Sequence, residues 1–237
     1  MTPFILIRPE PACTATQQAA YDMGLAAHAF PMFQIIPQSY AAPDPGTIDA
    51  LVLGSANALR HFGPAIDQYR NKPAYAVGET TANAARASGL NIIATGNGGL
   101  QNLLPLIHPD HRRLLRVTGA NHVPLTPPPH ISITTVIAYA SQPLAMPPAL
   151  AQLLQSGAVI ALHSAEAARH FAAECTRLHI PRNLHSLITL GPRISAAAAT
   201  GWAALHHSET PTDKALLALA GQLCQTLPFP DQGIVFL

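Results

Sequence analysis

Ser55-Ala56-Asn57-Ala58-Leu59-Arg60-His61-Phe62 occurs twice in this chain, and it returns as Ser164-Ala165-Glu166-Ala167-Ala168-Arg169-His170-Phe171. Six of the eight positions are identical, at an offset of 109 residues. Each copy follows an apolar run, Leu51-Val52-Leu53-Gly54 in the first case and Val159-Ile160-Ala161-Leu162-His163 in the second. A serine directly after a short apolar strand is typical of a helix N-cap. The chain therefore repeats a strand–serine–helix unit.

A second pair of motifs follows the first in the same order. Val77-Gly78-Glu79-Thr80-Thr81-Ala82 corresponds to Leu190-Gly191-Pro192-Arg193-Ile194-Ser195, at an offset of 113 residues. Because two different units recur in order and at nearly constant spacing, we expect two similar α/β domains.

The remaining segments alternate between strands and helices. Apolar runs predict strands over residues 4–9, 29–36, 51–53, 74–77, 91–94, 114–117, 131–137, 158–162, 187–190 and 202–206. Capping residues and helical spacing predict helices after Ser55 and Ser164 and over residues 80–88, 100–107, 194–200 and 214–226. This alternation predicts parallel sheets covered on both faces.

The second copy lacks the late strands of the first, and similar runs stand at the N-terminus. Residues 4–9 resemble 114–119, and residues 29–36 resemble 131–137. We therefore predict a discontinuous α/β domain from residues 1–35 and 142–237, with a second α/β domain, residues 38–137, inserted in it. The fold class is two doubly wound parallel-sheet domains. The crossings near residues 33–38 and 137–142 are β-prone, so we expect them to pair as a two-stranded linker.

Composition excludes several classes of protein. No apolar run in the 237 residues reaches the eighteen or so needed for a membrane span, and the first residues lead directly into a strand without the features of a signal peptide. Cys13, Cys175 and Cys224 are few and widely spaced, which indicates buried, reduced thiols. We expect a cytoplasmic protein that is a monomer and does not bind a membrane.

Charge gives no sign of nucleic-acid or metal binding. The net charge is +1, whereas nucleic-acid binding needs a basic stripe, and Arg112, Arg113 and Arg116 are interpreted as a helix end or a solvated strand start. The twelve histidines include pairs at positions 108 and 111 and at positions 206 and 207. Neither pair has a carboxylate or thiol nearby in a recognised ligand pattern, so we predict no metal site.

The ordered motifs resemble the uroporphyrinogen-III synthase family over nearly the whole chain. The matching residues are Arg8-Pro9, Asp49 to Val52, Ser55 to Ala58, Val77 to Ala82, Gly119, Tyr139, Ser164-Ala165, Gly191-Pro192 and Pro211. The family usually has other residues at three of these places, where this chain has Ile7, Leu53-Gly54 and Ile194. At the position of Ile7, for example, the family usually has threonine. The chain therefore resembles a divergent member. The resemblance implies the fold described above, with a split first domain.

The resemblance also implies an activity. The expected substrate is the linear tetrapyrrole hydroxymethylbilane, which carries an acetate and a propionate on every ring. The enzyme, a lyase of haem biosynthesis, would close the ring with loss of water and inversion of the last pyrrole through a spiro intermediate. No cofactor is expected, because the electron-rich pyrroles drive loss of the hydroxyl.

Candidate site residues follow from the matched positions. Tyr139 is the catalytic candidate, since its phenol stays protonated at neutral pH and can donate to the leaving hydroxyl; the alternative is a linker aromatic that only packs. Helix starts offer backbone N–H groups to the substrate carboxylates. The substrate-binding candidates are Arg8, Ser55, Asn57, Thr80, Thr81, Ser164, Gly191 and Arg193. Ser55 and Ser164 are alternatively simple N-caps, Thr81 can bond its own helix, and Arg8 can pair with Glu10.

Two other functions are alternatives for such an α/β chain. A nucleotide-binding protein is disfavoured, because Gly96-Asn97-Gly98-Gly99 lacks the dinucleotide-binding spacing and the chain has no phosphate-loop lysine. The other alternative is a non-catalytic two-domain cytoplasmic small-molecule binding or sensor protein.

Overall fold

The computed structural model describes residues 2–226, which form eleven strands and eight helices. The strands are β1 (Phe4–Leu6), β2 (Ala27–Ala29), β3 (Phe33–Pro37), β4 (Ala50–Leu53), β5 (Pro73–Val77), β6 (Asn91–Gly96), β7 (Arg113–Gly119), β8 (Ser132–Pro143), β9 (Val159–Leu162), β10 (Ser186–Thr189) and β11 (Ala204–His207). The helices are α1 (Ala12–Asp22), α2 (Ala56–Phe62), α3 (Glu79–Ala87), α4 (Leu100–Leu103), α5 (Pro148–Leu153), α6 (Ala165–Arg177), α7 (Pro192–Ala196) and α8 (Asp213–Thr226).

The chain divides into two compact units. The first unit comprises residues up to Gln34 and from Gln142 onward, and the second is Ile35–Ser141. Each unit contains a parallel sheet with helices packed on it, so the predicted α/β class with parallel sheets is confirmed.

The first unit has a five-stranded sheet in the order β11-β10-β9-β1-β2, with every pair parallel. Strand β1 lies between β2 and β9, and Phe4 is paired with both Ala27 and Val159. The N-terminal strand is therefore in the middle of a sheet that is otherwise built mainly from the C-terminal half of the chain. The strand order reverses between β1 and β9.

Both faces of this sheet are buried. On one face Ile5 and Ile160 pack with α5 and α6, and on the other Phe4 and Val159 pack with α1 and α8. Because both faces of a parallel sheet are covered, its strands are continuous apolar runs rather than alternating ones.

The second unit has a six-stranded sheet in the order β3-β8-β7-β4-β5-β6. The five strands from β8 to β6 are parallel, and their order reverses between β4 and β7. Helices α2 and α3 cover the face that carries Leu51 and Leu115, whereas α4 packs on the face of Ala50 and Leu114.

Strands β3 and β8 are neighbours at the edge of the second sheet, which confirms the predicted pairing of the linker segments. The Gln38 N–H donates to the Ala138 carbonyl at 2.9 Å, and the Leu144 N–H donates to the Met32 carbonyl at 2.9 Å. The residue numbers of the partners rise along β3 and fall along β8, so these two strands are antiparallel.

Several predicted elements have other limits in the structure; the first strand, for example, ends at Leu6 rather than at residue 9. Residues 29–36 are not one strand: β2 ends at Ala29 and β3 begins at Phe33, and Pro31 between them has no N–H for a sheet. The helix predicted over 100–107 ends at Leu103 and continues as a 3-10 turn that contains Pro105. The helix predicted over 194–200 and the strand predicted over 202–206 also have different limits.

Helix α7 begins at Pro192, two residues earlier than predicted, because proline is well suited to the first helical position. It ends at Ala196, well short of the predicted residue 200. Strand β11 begins only at Ala204, since the Trp202 ring stacks on Phe171 and its indole N–H donates to the Ala198 carbonyl.

Within residues 2–226, no helix combines the length and the apolar character that crossing a membrane requires.

Candidate functional site

The second unit places its candidate residues where the strand order reverses. Strand β4 ends at Leu53, shortly before Ser55, and its neighbour β7 ends at Gly119. In open α/β sheets, ligands bind at the carboxyl ends of the strands on either side of such a reversal. Tyr139 of β8 lies opposite Gly119, after an irregularity in the pairing between Thr118 and Gly119. These residues therefore meet at the position that the fold favours for a ligand.

The surroundings of the Tyr139 phenol set its protonation. Burial raises the pKa of Tyr139, and the Ser55 hydroxyl, the Gly119 backbone N–H and the charge of Arg116 only partly oppose that rise. The phenol is therefore protonated at neutral pH and can donate its proton to an acceptor.

The ring of Tyr139 is held on Gly119 and His61. A Cβ atom placed on Gly119 would lie 2.6 Å from Cε2 of the Tyr139 ring, so only glycine allows this approach. The His61 ring, from the last turn of α2, has its centroid 5.2 Å from that of Tyr139. Burial, together with the charge of Arg60, lowers the pKa of His61.

Ser55 caps α2, as predicted. Its hydroxyl accepts a hydrogen bond from the Asn57 N–H at 3.1 Å. The side-chain oxygen of Asn57 accepts a hydrogen bond from Nη1 of Arg60 at 2.7 Å. The backbone N–H of Asn57 thus takes part in the cap, and its side-chain carbonyl accepts a hydrogen bond within the same helix.

Thr80 and Thr81 lie in the first turn of α3, next to the end of β5. Glu79 is the first residue of the helix, one position earlier than predicted, and Gly78 precedes it with a φ of 76°, a conformation that favours glycine. The Thr80 side chain is exposed, whereas Thr81 is buried. Thr80 is therefore the accessible hydroxyl of the two.

In the first unit, Arg8 follows β1 at the reversal between β1 and β9. Nη1 of Arg8 donates to Oδ2 of Asp213 at 2.6 Å and to the Thr16 hydroxyl at 2.9 Å. The alternative pairing of Arg8 with Glu10 is wrong, because the Glu10 carboxylate accepts instead from the backbone N–H and the hydroxyl of Thr14. Arg8 is thus an arginine whose charge is already balanced.

His163 follows β9 beside this ion pair. Its Nε2 lies 3.4 Å from Oδ1 of Asp213, a long contact, and burial lowers the pKa of His163. For Asp213, burial acts to raise the pKa, but His163 and the charge of Arg8 outweigh it, so the pKa is lowered. At neutral pH His163 is therefore neutral and Asp213 is a carboxylate.

Ser164 and the Gly191 turn are the remaining candidates in the first unit. The Ser164 hydroxyl caps α6, as predicted, by accepting from the Ala167 N–H at 3.0 Å. The Gly191 carbonyl accepts from the Thr189 hydroxyl at 3.1 Å, and that hydroxyl is 2.8 Å from the Ser195 hydroxyl. Arg193 is exposed. Ser195 thus places a hydroxyl beside position 194, where this chain has isoleucine.

Two residues next to Tyr139 were not predicted from the sequence. His61 belongs to the repeated motif, but nothing in its spacing shows that it contacts Tyr139. Arg116 was interpreted as solvated and is buried, with Nη2 donating to the Val123 carbonyl at 2.9 Å. Arg116 is the single charged residue in the apolar run 114–117, and this position is the sequence signal that could have indicated its burial. Its neighbours in sequence, Arg112 and Arg113, do lie at the surface, where both bind Asp49.

The histidine pair at positions 108 and 111 surrounds Tyr75. Nδ1 of His111 is 2.8 Å from the Tyr75 hydroxyl, which also accepts from the His108 N–H at 2.9 Å. In the part of the chain that the structure describes, no group of three or more His, Cys, Asp or Glu side chains is arranged to hold a metal ion.

Two α/β sheets, parallel apart from the pairing of β3 with β8, each with polar side chains where its strand order reverses, define a doubly wound two-domain protein. The model of one family, described as uroporphyrinogen-III synthase HemD, matches residues 14–218. The chain belongs to the uroporphyrinogen-III synthase family, the lyases of haem biosynthesis that act on hydroxymethylbilane.

Solved structures share the fold at low sequence identity. A uroporphyrinogen-III synthetase from Helicobacter pylori 26695 aligns with a TM-score of 0.63 and 16% identity, over 94% of this chain and 100% of that one. A mutant uroporphyrinogen III synthase from the extremely thermophilic bacterium Thermus thermophilus aligns with a TM-score of 0.54 and 14% identity, over 95% of this chain and 100% of that one. A comparison with curated protein sequences gives no significant match.

Proposed function

We propose that this chain cyclises hydroxymethylbilane to uroporphyrinogen III, with loss of water and inversion of the last pyrrole ring, and that Tyr139 is its catalytic acid. Membership of the family supports the reaction. The observation that carries the assignment of Tyr139 is its protonated phenol, with the ring on Gly119 beside the reversal between β4 and β7.

The proposed step is assisted departure of the substrate hydroxyl. As the bond between carbon and this oxygen breaks, the Tyr139 phenol gives its proton to the oxygen, and water leaves. The pyrrole nitrogen supplies the electron pair, which produces an azafulvenium cation. The Ser55 hydroxyl and the Gly119 N–H, which act to lower the pKa of Tyr139, stabilise the phenolate that remains. A proton released when the ring closes restores the phenol, so the net change is loss of one water.

Binding of the substrate carboxylates is proposed for the remaining candidates. The exposed hydroxyl of Thr80 and the start of α3 offer donors in the second unit. In the first unit Ser164 begins the thirteen-residue helix α6, and Gly191 and exposed Arg193 follow β10. Arg8 already forms an ion pair with Asp213, so it can bind a substrate carboxylate only if that ion pair is weakened or broken. We therefore expect Arg8 to contribute less to substrate binding than the other candidates.

We further propose a cytoplasmic monomer that binds neither nucleic acid nor membranes and needs no cofactor. The three cysteines are buried and unpaired, which suits a reducing compartment. The net charge of +1 gives no electrostatic attraction to nucleic acid or to anionic lipid.

A coupled assay tests the proposal. Hydroxymethylbilane is supplied to the purified protein, the products are oxidised, and the type I and type III isomers are separated. We expect the type III isomer to predominate. Formation of the type I isomer alone, at the rate seen without protein, contradicts the proposed function; binding of the substrate under those conditions would then indicate the non-catalytic binding protein.

A further inference from the structure

The repeated motif places a histidine at the same position of each copy, and each histidine contacts a linker segment. His61, in the first copy, packs on Tyr139 of β8. His170, in the second copy, has its ring centroid 5.1 Å from that of Phe33 in β3, and its Nε2 lies 2.7 Å from the Leu144 carbonyl oxygen. Each histidine therefore packs against a linker segment, but only His61 contacts a candidate catalytic residue.

The contacts of Tyr139 show what His61 adds. The Tyr139 ring lies on the bare Cα of Gly119. Because glycine has no side chain, it leaves the ring free to swing away from this position. The His61 ring packs against the Tyr139 ring and restricts this movement.

We propose that His61 is a positioning residue for the Tyr139 phenol. Its ring packs against the Tyr139 ring and keeps that ring on Gly119, at the carboxyl end of β7, without contact to the substrate. This inference rests on the proposed function for its catalytic meaning. The placement of Tyr139 by His61 can nevertheless be measured in the free protein.

Three variants separate positioning from general packing. His61→Ala removes the ring, His61→Phe keeps an aromatic ring in its place, and His170→Ala makes the same truncation at the equivalent position of the other copy. Tyrosine labelled at the phenolic carbon reports the titration of each phenol by NMR, and Tyr139→Phe identifies the signal of Tyr139. Rates with hydroxymethylbilane give kcat and KM for each variant.

We expect the pKa of Tyr139 to fall toward its ordinary value in His61→Ala, because burial is the main cause of its rise. In this variant kcat should fall roughly tenfold or more while KM changes little, since only the reacting group is displaced. His61→Phe should retain the titration and most of kcat. His170→Ala should leave the Tyr139 titration and kcat as in the unchanged protein.

An unchanged Tyr139 titration in His61→Ala overturns the inference, as does an equal effect of His170→Ala or a failure of His61→Phe to restore the signal. If His61→Ala does not fold, the contact is tested in the unchanged protein by nuclear Overhauser effects between the His61 and Tyr139 rings. Their absence contradicts the inference. Full turnover in Tyr139→Phe would instead remove the catalytic role of Tyr139, while the titration would still decide the role of His61.

Discussion

Ser55 acts both on the first turn of α2 and on the phenol of Tyr139. Its hydroxyl accepts the Asn57 N–H at 3.1 Å, and it also acts to lower the pKa of Tyr139, against the effect of burial. A hydroxyl has one donor and two acceptor positions, so the capping bond leaves its own proton available to the phenol oxygen. Capping and participation in the site are therefore two uses of the same side chain, and they need not exclude each other.

Tyr139→Phe removes the proton donor and keeps the ring on Gly119 and His61. We expect kcat to fall roughly a hundredfold, as is typical for loss of positioned acid catalysis, with little change in KM. The type I isomer should accumulate, because uncatalysed closure competes with the slowed enzyme. Product analysis by chromatography measures both effects; full activity with intact folding would remove Tyr139 from the mechanism.

Ser55→Ala and Ser164→Ala form a matched pair, since both serines cap a helix after a repeated strand. Each variant should lose about 1 kcal/mol of the free energy of unfolding, the usual effect of losing a serine cap. Ser55→Ala should also lower kcat, because it removes the hydroxyl that favours the Tyr139 phenolate, whereas Ser164→Ala should act on KM. Urea unfolding and steady-state kinetics separate the two effects. Identical kinetics in the two variants would mean that Ser55 acts as a cap alone.

Gly119→Ala places a methyl group against the Tyr139 ring. The added Cβ would be 2.6 Å from Cε2, so the ring must move and carry the phenol out of position. We expect a loss of kcat similar to that in Tyr139→Phe. Gly221→Ala is the control, because its Cβ would meet Leu25 at an ordinary 3.8 Å within helix α8. Retention of wild-type kinetics in Gly119→Ala would contradict the described contact.

Acid should destabilise the fold through His185. This side chain is fully buried, and burial lowers its pKa to about 4, below the value near 6.5 of an exposed histidine. Between these values the unfolded chain binds more protons than the folded one. Stability is therefore complete above about pH 6.5 and falls as the pH drops toward 4, by on the order of 3 kcal/mol.

Urea unfolding at a series of pH values measures this dependence. His185→Leu should flatten the curve over that range, apart from the share contributed by His163, whose pKa burial also lowers. Glu174 and Asp49 have pKa values of about 2, because Arg177 and Arg113 respectively form hydrogen bonds with them, so their contributions are lost only at lower pH. An unchanged slope in His185→Leu would show that other groups cause the acid sensitivity.

Strands and caps were predictable because their causes are local. Strands β4 and β9 are buried on both faces and read as unbroken apolar runs, and the serine after each accepts an N–H of the helix that follows. The errors arose where a local signal competes with a distant contact. The apolar residues 29–36 belong to two sheets, and Trp202 packs on Phe171 before β11 can begin.

The contacts of the candidate site depend on long-range geometry. The meeting of Tyr139 with Gly119 follows from the parallel register of β7 and β8 and its irregularity after Thr118, which no local pattern encodes. The partner of Arg8 is Asp213, near the other end of the described chain, whereas the sequence suggested only the adjacent Glu10. The family motifs therefore suggest candidate residues, but they do not predict the partners of those residues.

The central position of β1 has a consequence for the order in which the units form. Phe4 is paired with Val159, so the first sheet closes only after the ribosome has synthesised β9, whereas all strands of the second sheet precede it. The second unit can fold during synthesis while the N-terminal segment waits, exposed and apolar, for its neighbour. This delay makes residues 4–7 the segment where chaperone binding or aggregation should concentrate in the nascent protein.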